Sequence, residues 1–209
     1  MYSIFQTSCF TSGQDGWDIE RNYFKTHAFC RYAHAPLEAF QSIVNEHHIK
    51  PEQIQQIQVY TYERAATLCR SDYHNTLSAK FSIPFALASW LYTNTTDHSV
   101  FNRNTLENAE IRNLAKKVDV LSSAELEKNY PTIMPAEVVV TLDSGEVYKK
   151  RLDNADGGPG EQMALDYMIQ KFSTNTEGIL SNERKDSIIH WIQSIEEQEH
   201  IGELISLLS

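Results

Sequence analysis

Two β-rich runs, Glu137–Leu142 and Glu146–Leu152, flank the short polar stretch Asp143-Ser144-Gly145. Strand-forming residues on both sides of a tight glycine-containing turn specify an antiparallel hairpin. A second region, Ile54–Tyr62, alternates, with Ile57, Val59 and Thr61 on one face and Gln58, Tyr60 and Tyr62 on the other. That period of two predicts a strand with one buried face. A shorter strand is expected at Val118–Leu121, after an amphipathic helix over Glu110–Lys117. Helical spacing of Leu37, Phe40, Ile43 and Val44 predicts a helix from Pro36 to His48, and the nearly all-apolar Pro84–Tyr92 predicts a buried one. Gly157-Gly158-Pro159-Gly160 breaks the chain before a helix at 161–172, and Ser181 opens a last helical region with Ile188, Trp191, Ile192 and Ile195 on one face. Trp90 and Trp191 are expected in the core. Strands and helices do not alternate as a doubly wound sheet requires. The expected class is therefore α+β, a mostly antiparallel sheet of about four strands packed with helices.

The chain has 209 residues, enough for one good core. Residues 1–20, with Gly13, Gly16 and little periodicity, read as an arm or linker remnant ahead of one domain over 21–209. No run approaches the length of apolar sequence that spans a bilayer, and the N-terminus lacks the pattern of a signal peptide. Cys9, Cys30 and Cys69 fall at unrelated spacings, neither a disulfide framework nor a zinc pattern. These features predict a cytoplasmic protein. Its formal net charge of −10 repels nucleic acid and anionic membranes. Against that background a local cationic cluster points to a small anion.

Such a cluster is Lys25-Thr26-His27-Ala28-Phe29-Cys30-Arg31-Tyr32-Ala33-His34. Arginine can hold a carboxylate in a bidentate fork, lysine adds a compact charge, and histidine is readily poised for proton transfer near neutral pH. The segment precedes a helix, whose free N–H groups also favour anions. The competing reading is a solvated turn of ordinary surface residues. Elsewhere, His47 and His48 suit a helix C-terminus, Asp72 and His74 sit in a polar loop, and the 157–160 loop lacks the pattern of a nucleotide cradle.

The pattern Lys25-x(4)-Cys30-Arg31-Tyr32-x-His34, followed by an amphipathic helix, resembles the start of the second domain of the MmgE/PrpD family, which includes 2-methylcitrate dehydratase and cis-aconitate decarboxylase. Further matches follow in order: Lys50-Pro51-Glu52-Gln53-Ile54, Ala79-Lys80-Phe81-Ser82-Ile83-Pro84-Phe85-Ala86, Val118-Asp119-Val120, Tyr130-Pro131, Pro135-Ala136-Glu137-Val138, the Gly157–Gly160 loop and Lys171-Phe172. The resemblance covers about residues 20–200.

It implies an α+β domain that, with a separate helical domain, encloses a cleft for small di- or tricarboxylates. The chemistry implied is dehydration or decarboxylation without a metal or organic cofactor. It also implies site residues: Lys25, His34 and Cys30 as catalytic candidates, and Lys25, Arg31, His34, Lys80, Ser82 and Phe85 as substrate-binding ones. Cys30 falls where some members carry histidine. Phe85 falls where many carry tyrosine, so its hydroxyl chemistry is missing here. Ser82 equally suits a helix cap. Nothing in the chain corresponds to the helical domain. The expectation is a lyase half, inactive alone, paired with a helical chain or forming a homodimer. The alternatives are a non-catalytic remnant or interaction module, and an unrelated ligand-binding domain.

Overall fold

The computed structural model describes residues 22–158 and 164–209. The expected arm at 1–20, the Pro159-Gly160 part of the glycine loop and the expected helix start at 161–163 lie outside the described residues. The chain divides into two compact units, one through Glu161 and one from Gln162.

The first unit is α+β. Its sheet has the order β2-β1-β3-β4, with β1 Ile54–Thr61, β2 Val118–Ser122, β3 Ala136–Leu142 and β4 Val147–Leu152. The expected hairpin is present: β3 and β4 pair antiparallel from Ala136 opposite Leu152 to Thr141 opposite Val147. Gly145 closes the turn at φ +91, a conformation that costs a residue with a Cβ. β1 pairs antiparallel with β3, with a register irregularity between Ile54 and Gln56. β1 pairs parallel with β2, so one of the three pairings departs from the antiparallel pattern. A parallel neighbour needs a long crossover. Residues 62–117 supply it, carrying α2 (Ile83–Thr93) and α3 (Ala109–Ala115).

α1 (His34–His47) packs on β3 and β4 through Leu37, Phe40, Ile43 and Val44, the face read from the sequence. It begins two residues earlier than Pro36 because a 3₁₀ turn at Arg31–Ala33 runs straight into it. His48 ends it in the left-handed region, its N–H bonded to the Val44 carbonyl, and His47 stacks on Tyr148 at 3.8 Å. α2 is apolar on every side and correspondingly buried from Ile83 to Trp90. Ser82 caps it, accepting the Phe85 N–H at 3.0 Å while donating to the Arg70 carbonyl at 2.5 Å. Trp90 lies in this core edge-on to Phe40.

The second unit is helical: α4 Leu165–Asn175, α5 Asn182–Gln193 and α6 Gly202–Leu208. Ser181 caps α5. Arg184 donates to the carbonyls of Leu207 at 2.6 Å and Ser206 at 3.2 Å, covering the C-terminal acceptors of α6. Lys185 donates to the Ser173 carbonyl at 3.0 Å. Ile188 and Trp191 are buried, whereas Ile192 and Ile195 are 47% and 53% exposed. No helix among the described residues is long and apolar enough to cross a membrane.

Candidate anion-binding site

Residues 22–30 form no regular element and are tied down by backbone bonds to three different parts of the first unit. Phe24 N–H donates to Gly157 at 2.9 Å, Ala28 to Thr96 at 2.8 Å and Cys30 to Lys80 at 2.9 Å. A segment of this composition would otherwise be solvated coil; these anchors give its side chains fixed places.

Arg31 is half-buried, and its guanidinium carbon lies 4.0 Å from the centre of the Tyr23 ring. Both residues line a cavity of about 330 Å³ whose other walls include Thr132, Met134, Asn154 and Gly158. Asn154 Oδ1 accepts the Met134 N–H at 3.0 Å and so joins the loop before β3 to the loop after β4. Among the described residues no carboxylate pairs with Arg31.

His34 is fully buried behind this wall. Its Nδ1 lies 2.6 Å from the Tyr23 hydroxyl and 3.4 Å from Thr26 Oγ1, and its Nε2 lies 3.3 Å from the Phe29 carbonyl. A carbonyl only accepts, so Nε2 carries a proton; in a neutral imidazole Nδ1 is then the acceptor for the Tyr23 hydroxyl. Burial, with Glu38 as a lesser contributor, pushes the Tyr23 phenol up to about 12. It therefore stays protonated at neutral pH and serves as the donor.

Glu38, one helical turn beyond His34, holds the surroundings together. Its Oε1 meets His27 Nε2 at 3.1 Å and Thr26 Oγ1 at 3.5 Å, and its Oε2 accepts the Asp156 N–H at 2.9 Å. His27 Nδ1 in turn meets Thr96 Oγ1 at 2.7 Å. The His27 and His34 rings stand edge-on, 4.9 Å apart.

The residues singled out from the sequence divide into three places. Arg31 lines the cavity, and His34 reaches it through Tyr23. Lys25 is exposed on the same segment. Cys30, half-buried, packs at the edge of the core, and Lys80 lies over the Phe101 ring at 5.1 Å. Ser82 and Phe85 are 0% exposed; Phe85 packs among Phe29, Tyr73 and Phe101. The sequence reading did not include Tyr23, Glu38, Thr132 or Asn154. Glu38 carried a signal, since it stands four residues after His34 on the same helical face. Tyr23 carried none.

Beside the site, Tyr62 stacks on Tyr130 at 4.4 Å and meets Tyr32 edge-on at 5.6 Å. Hydrogen bonding to Tyr32 and then to Arg64 draws the Tyr130 phenol below its ordinary range. Burial pushes Tyr62 upward. Among the described residues no three His, Cys, Asp or Glu side chains converge as metal ligands would.

The family model described as MmgE/PrpD C-terminal domain matches residues 27–197. The matched span takes in Arg31, His34, Glu38, the whole sheet and the capped helix α2, while Tyr23 and Lys25 stand just ahead of it. A match over most of the 209 residues, on an α+β fold, decides the relationship: this chain belongs to the MmgE/PrpD family through its C-terminal domain.

Proposed function

We propose that the chain is the substrate-binding half of an MmgE/PrpD-type carboxylate lyase, taking a small di- or tricarboxylate at the Arg31 cavity. The observation that carries this reading is Arg31 itself. A half-buried guanidinium on a cavity wall, without a carboxylate partner among the described residues, stands in a protein of net charge −10. Charge so placed loses hydration without a protein anion to offset it, and a ligand carboxylate supplies that offset through two parallel N–H···O bonds. Lys25 adds positive charge on the same segment, and Lys80, whose carbonyl accepts the Cys30 N–H, is the further cationic candidate. His34 and Cys30 are the proton-handling candidates. Ser82 and Phe85 serve by holding the frame, one as a helix cap and the other as packing under Phe29.

The remaining catalytic groups come from a helical MmgE/PrpD domain, on a separate chain or within a dimer, so the single chain is inactive alone. Calorimetric titration with citrate and cis-aconitate tests the binding half directly. Hydrogen bonds to charged groups are worth about 1.5–3 kcal/mol, so Arg31→Ala is expected to weaken binding roughly tenfold or more. Identical weak binding by both proteins would overturn the site.

A second reading, an interaction module, draws on the second unit. Leu165, Ile192 and Leu208 line one groove of that unit and are each more than 45% exposed. Exposed apolar surface gathered in this way marks an interface. Light scattering tests it: a dimer or a heteromeric complex is expected, and a strict monomer that captures no helical partner would exclude it.

A further inference from the structure

His34 is fully buried, so it cannot itself touch a molecule held on Arg31. Its Nδ1 has a short contact at 2.6 Å with the hydroxyl of Tyr23, and Tyr23 is a wall of the cavity with Arg31 against its ring. Resting on the carboxylate reading above, we propose that Tyr23 and His34 form a proton-linked pair through which the buried imidazole responds to an anion in the Arg31 cavity.

A phenol can donate one hydrogen bond and accept another at the same oxygen. Before an anion arrives, the Tyr23 O–H donates to Nδ1 of a neutral His34, whose Nε2–H is directed to the Phe29 carbonyl 3.3 Å away. When a carboxylate arrives, the Tyr23 O–H turns to it, and Tyr23 Oη becomes an acceptor. His34 then takes a proton from solvent at Nδ1 and donates it to that oxygen. The proton count balances: an N–H bond forms at Nδ1, the Tyr23 O–H bond is kept, and one proton enters with the anion. The result is a line of donors running from imidazolium through phenol to carboxylate, with the new charge facing the ligand's charge. In a lyase reaction the same line runs stepwise. The Tyr23 proton passes to the ligand as the Nδ1 proton passes to Tyr23 Oη, which leaves the phenol intact and His34 neutral.

The groups around the pair suit a charge there. Thr26 Oγ1 lies 3.4 Å from Nδ1 as a second acceptor. His27 faces the imidazole edge-on and is joined to the Glu38 carboxylate at 3.1 Å. Glu38 and Asp156 act on Tyr23 with negative charge, and Arg31 acts with positive charge from the ring face. The phenol pushed up to about 12 by burial keeps its proton throughout, as a two-sided connector must.

The test is calorimetry of citrate binding to the full chain near neutral pH, in buffers of different ionisation enthalpy. The slope of observed heat against buffer enthalpy counts the protons taken up. The parent is expected to take up a measurable fraction of one proton beyond that taken up by Tyr23→Phe, which lacks the phenol's bond to the carboxylate and should bind roughly tenfold more weakly. The phenylalanine keeps the ring under Arg31 and preserves the fold, and the comparison cancels citrate's own titration. His27→Gln is expected to retain the uptake. Equal uptake by the parent and Tyr23→Phe, or binding by the parent with no uptake, would overturn the pair and leave the Arg31 site standing. No binding by the parent would overturn the carboxylate site and the pair together.

Discussion

The two units of the chain each contain a concavity of nearly the same size, about 330 Å³ beside Arg31 and about 340 Å³ among α4, α5 and α6. Volume does not distinguish them; their walls do. The first is lined by a guanidinium, a phenol, a threonine and an asparagine amide, on loops held by backbone bonds to fixed elements. The second is lined by Leu165, Met168, Ile169, Phe172 and Ile188 and their neighbours. The polar cavity discriminates by charge and hydrogen-bond geometry. The apolar groove accepts whatever covers it, because dispersion and water exclusion are not directional.

The comparison predicts that stability and anion binding separate cleanly. Ile188 is buried in the groove, so Ile188→Ala should cost about 2–5 kcal/mol by leaving a void. That loss would be read as earlier melting of residues 164–209 in hydrogen exchange, with citrate affinity unchanged. Coupled loss of citrate binding would break the separation. Arg31→Ala should do the reverse: roughly a tenfold loss of citrate affinity, with stability changed by no more than the about 0.5–2 kcal/mol of a half-buried cation–π contact. Arg31→Lys should fall between the two, since lysine keeps the charge and loses the fork.

Salt sharpens the contrast further. Raising ionic strength from about 0.01 M to 0.15 M shortens the screening length from about 30 to 8 Å. Citrate binding should weaken several-fold over that range, while binding of an apolar fluorescent dye to the groove should hold or strengthen. The smallest expected effect concerns alkaline stability. Burial pushes the Tyr23 phenol up from its ordinary value of 10.0 to about 12 in the folded state, which therefore binds the proton more tightly. Its contribution to stability is fully present below pH 10 and is lost as pH rises toward 12. Tyr23→Phe should therefore lose stability less steeply than the parent across that window in denaturant titrations. An identical slope would contradict the burial of this phenol.

Much of the frame was legible in the sequence because it is written in local patterns. The hairpin announced itself through Asp143-Ser144-Gly145, β1 through strict alternation, and the α2 cap through Ser82 ahead of Ile83-Pro84. The parallel pairing of β2 was not legible. Val118–Leu121 has no local turn to fix its neighbour, and its place depends on the whole crossover between residues 62 and 117. The site divides in the same way. The cationic segment stood out by composition. The contact between Tyr23 and His34, eleven residues apart with no regular element between them, depends on anchors at Thr96, Lys80 and Gly157 that no spacing rule supplies. Ser82 and Phe85 belonged to a recognisable motif, and their 0% exposure comes from the packing of α2 against Phe29, Tyr73 and Phe101. That packing involves residues far apart in the chain.

The most direct test of the central claim is a crystal structure of the chain with citrate bound. The account predicts one carboxylate forked on the Arg31 guanidinium, within the cavity bounded by Tyr23, Thr132 and Asn154, with the Tyr23 hydroxyl turned from His34 toward the ligand. Citrate bound elsewhere on the chain, with the Arg31 cavity empty at saturating concentration, would contradict it.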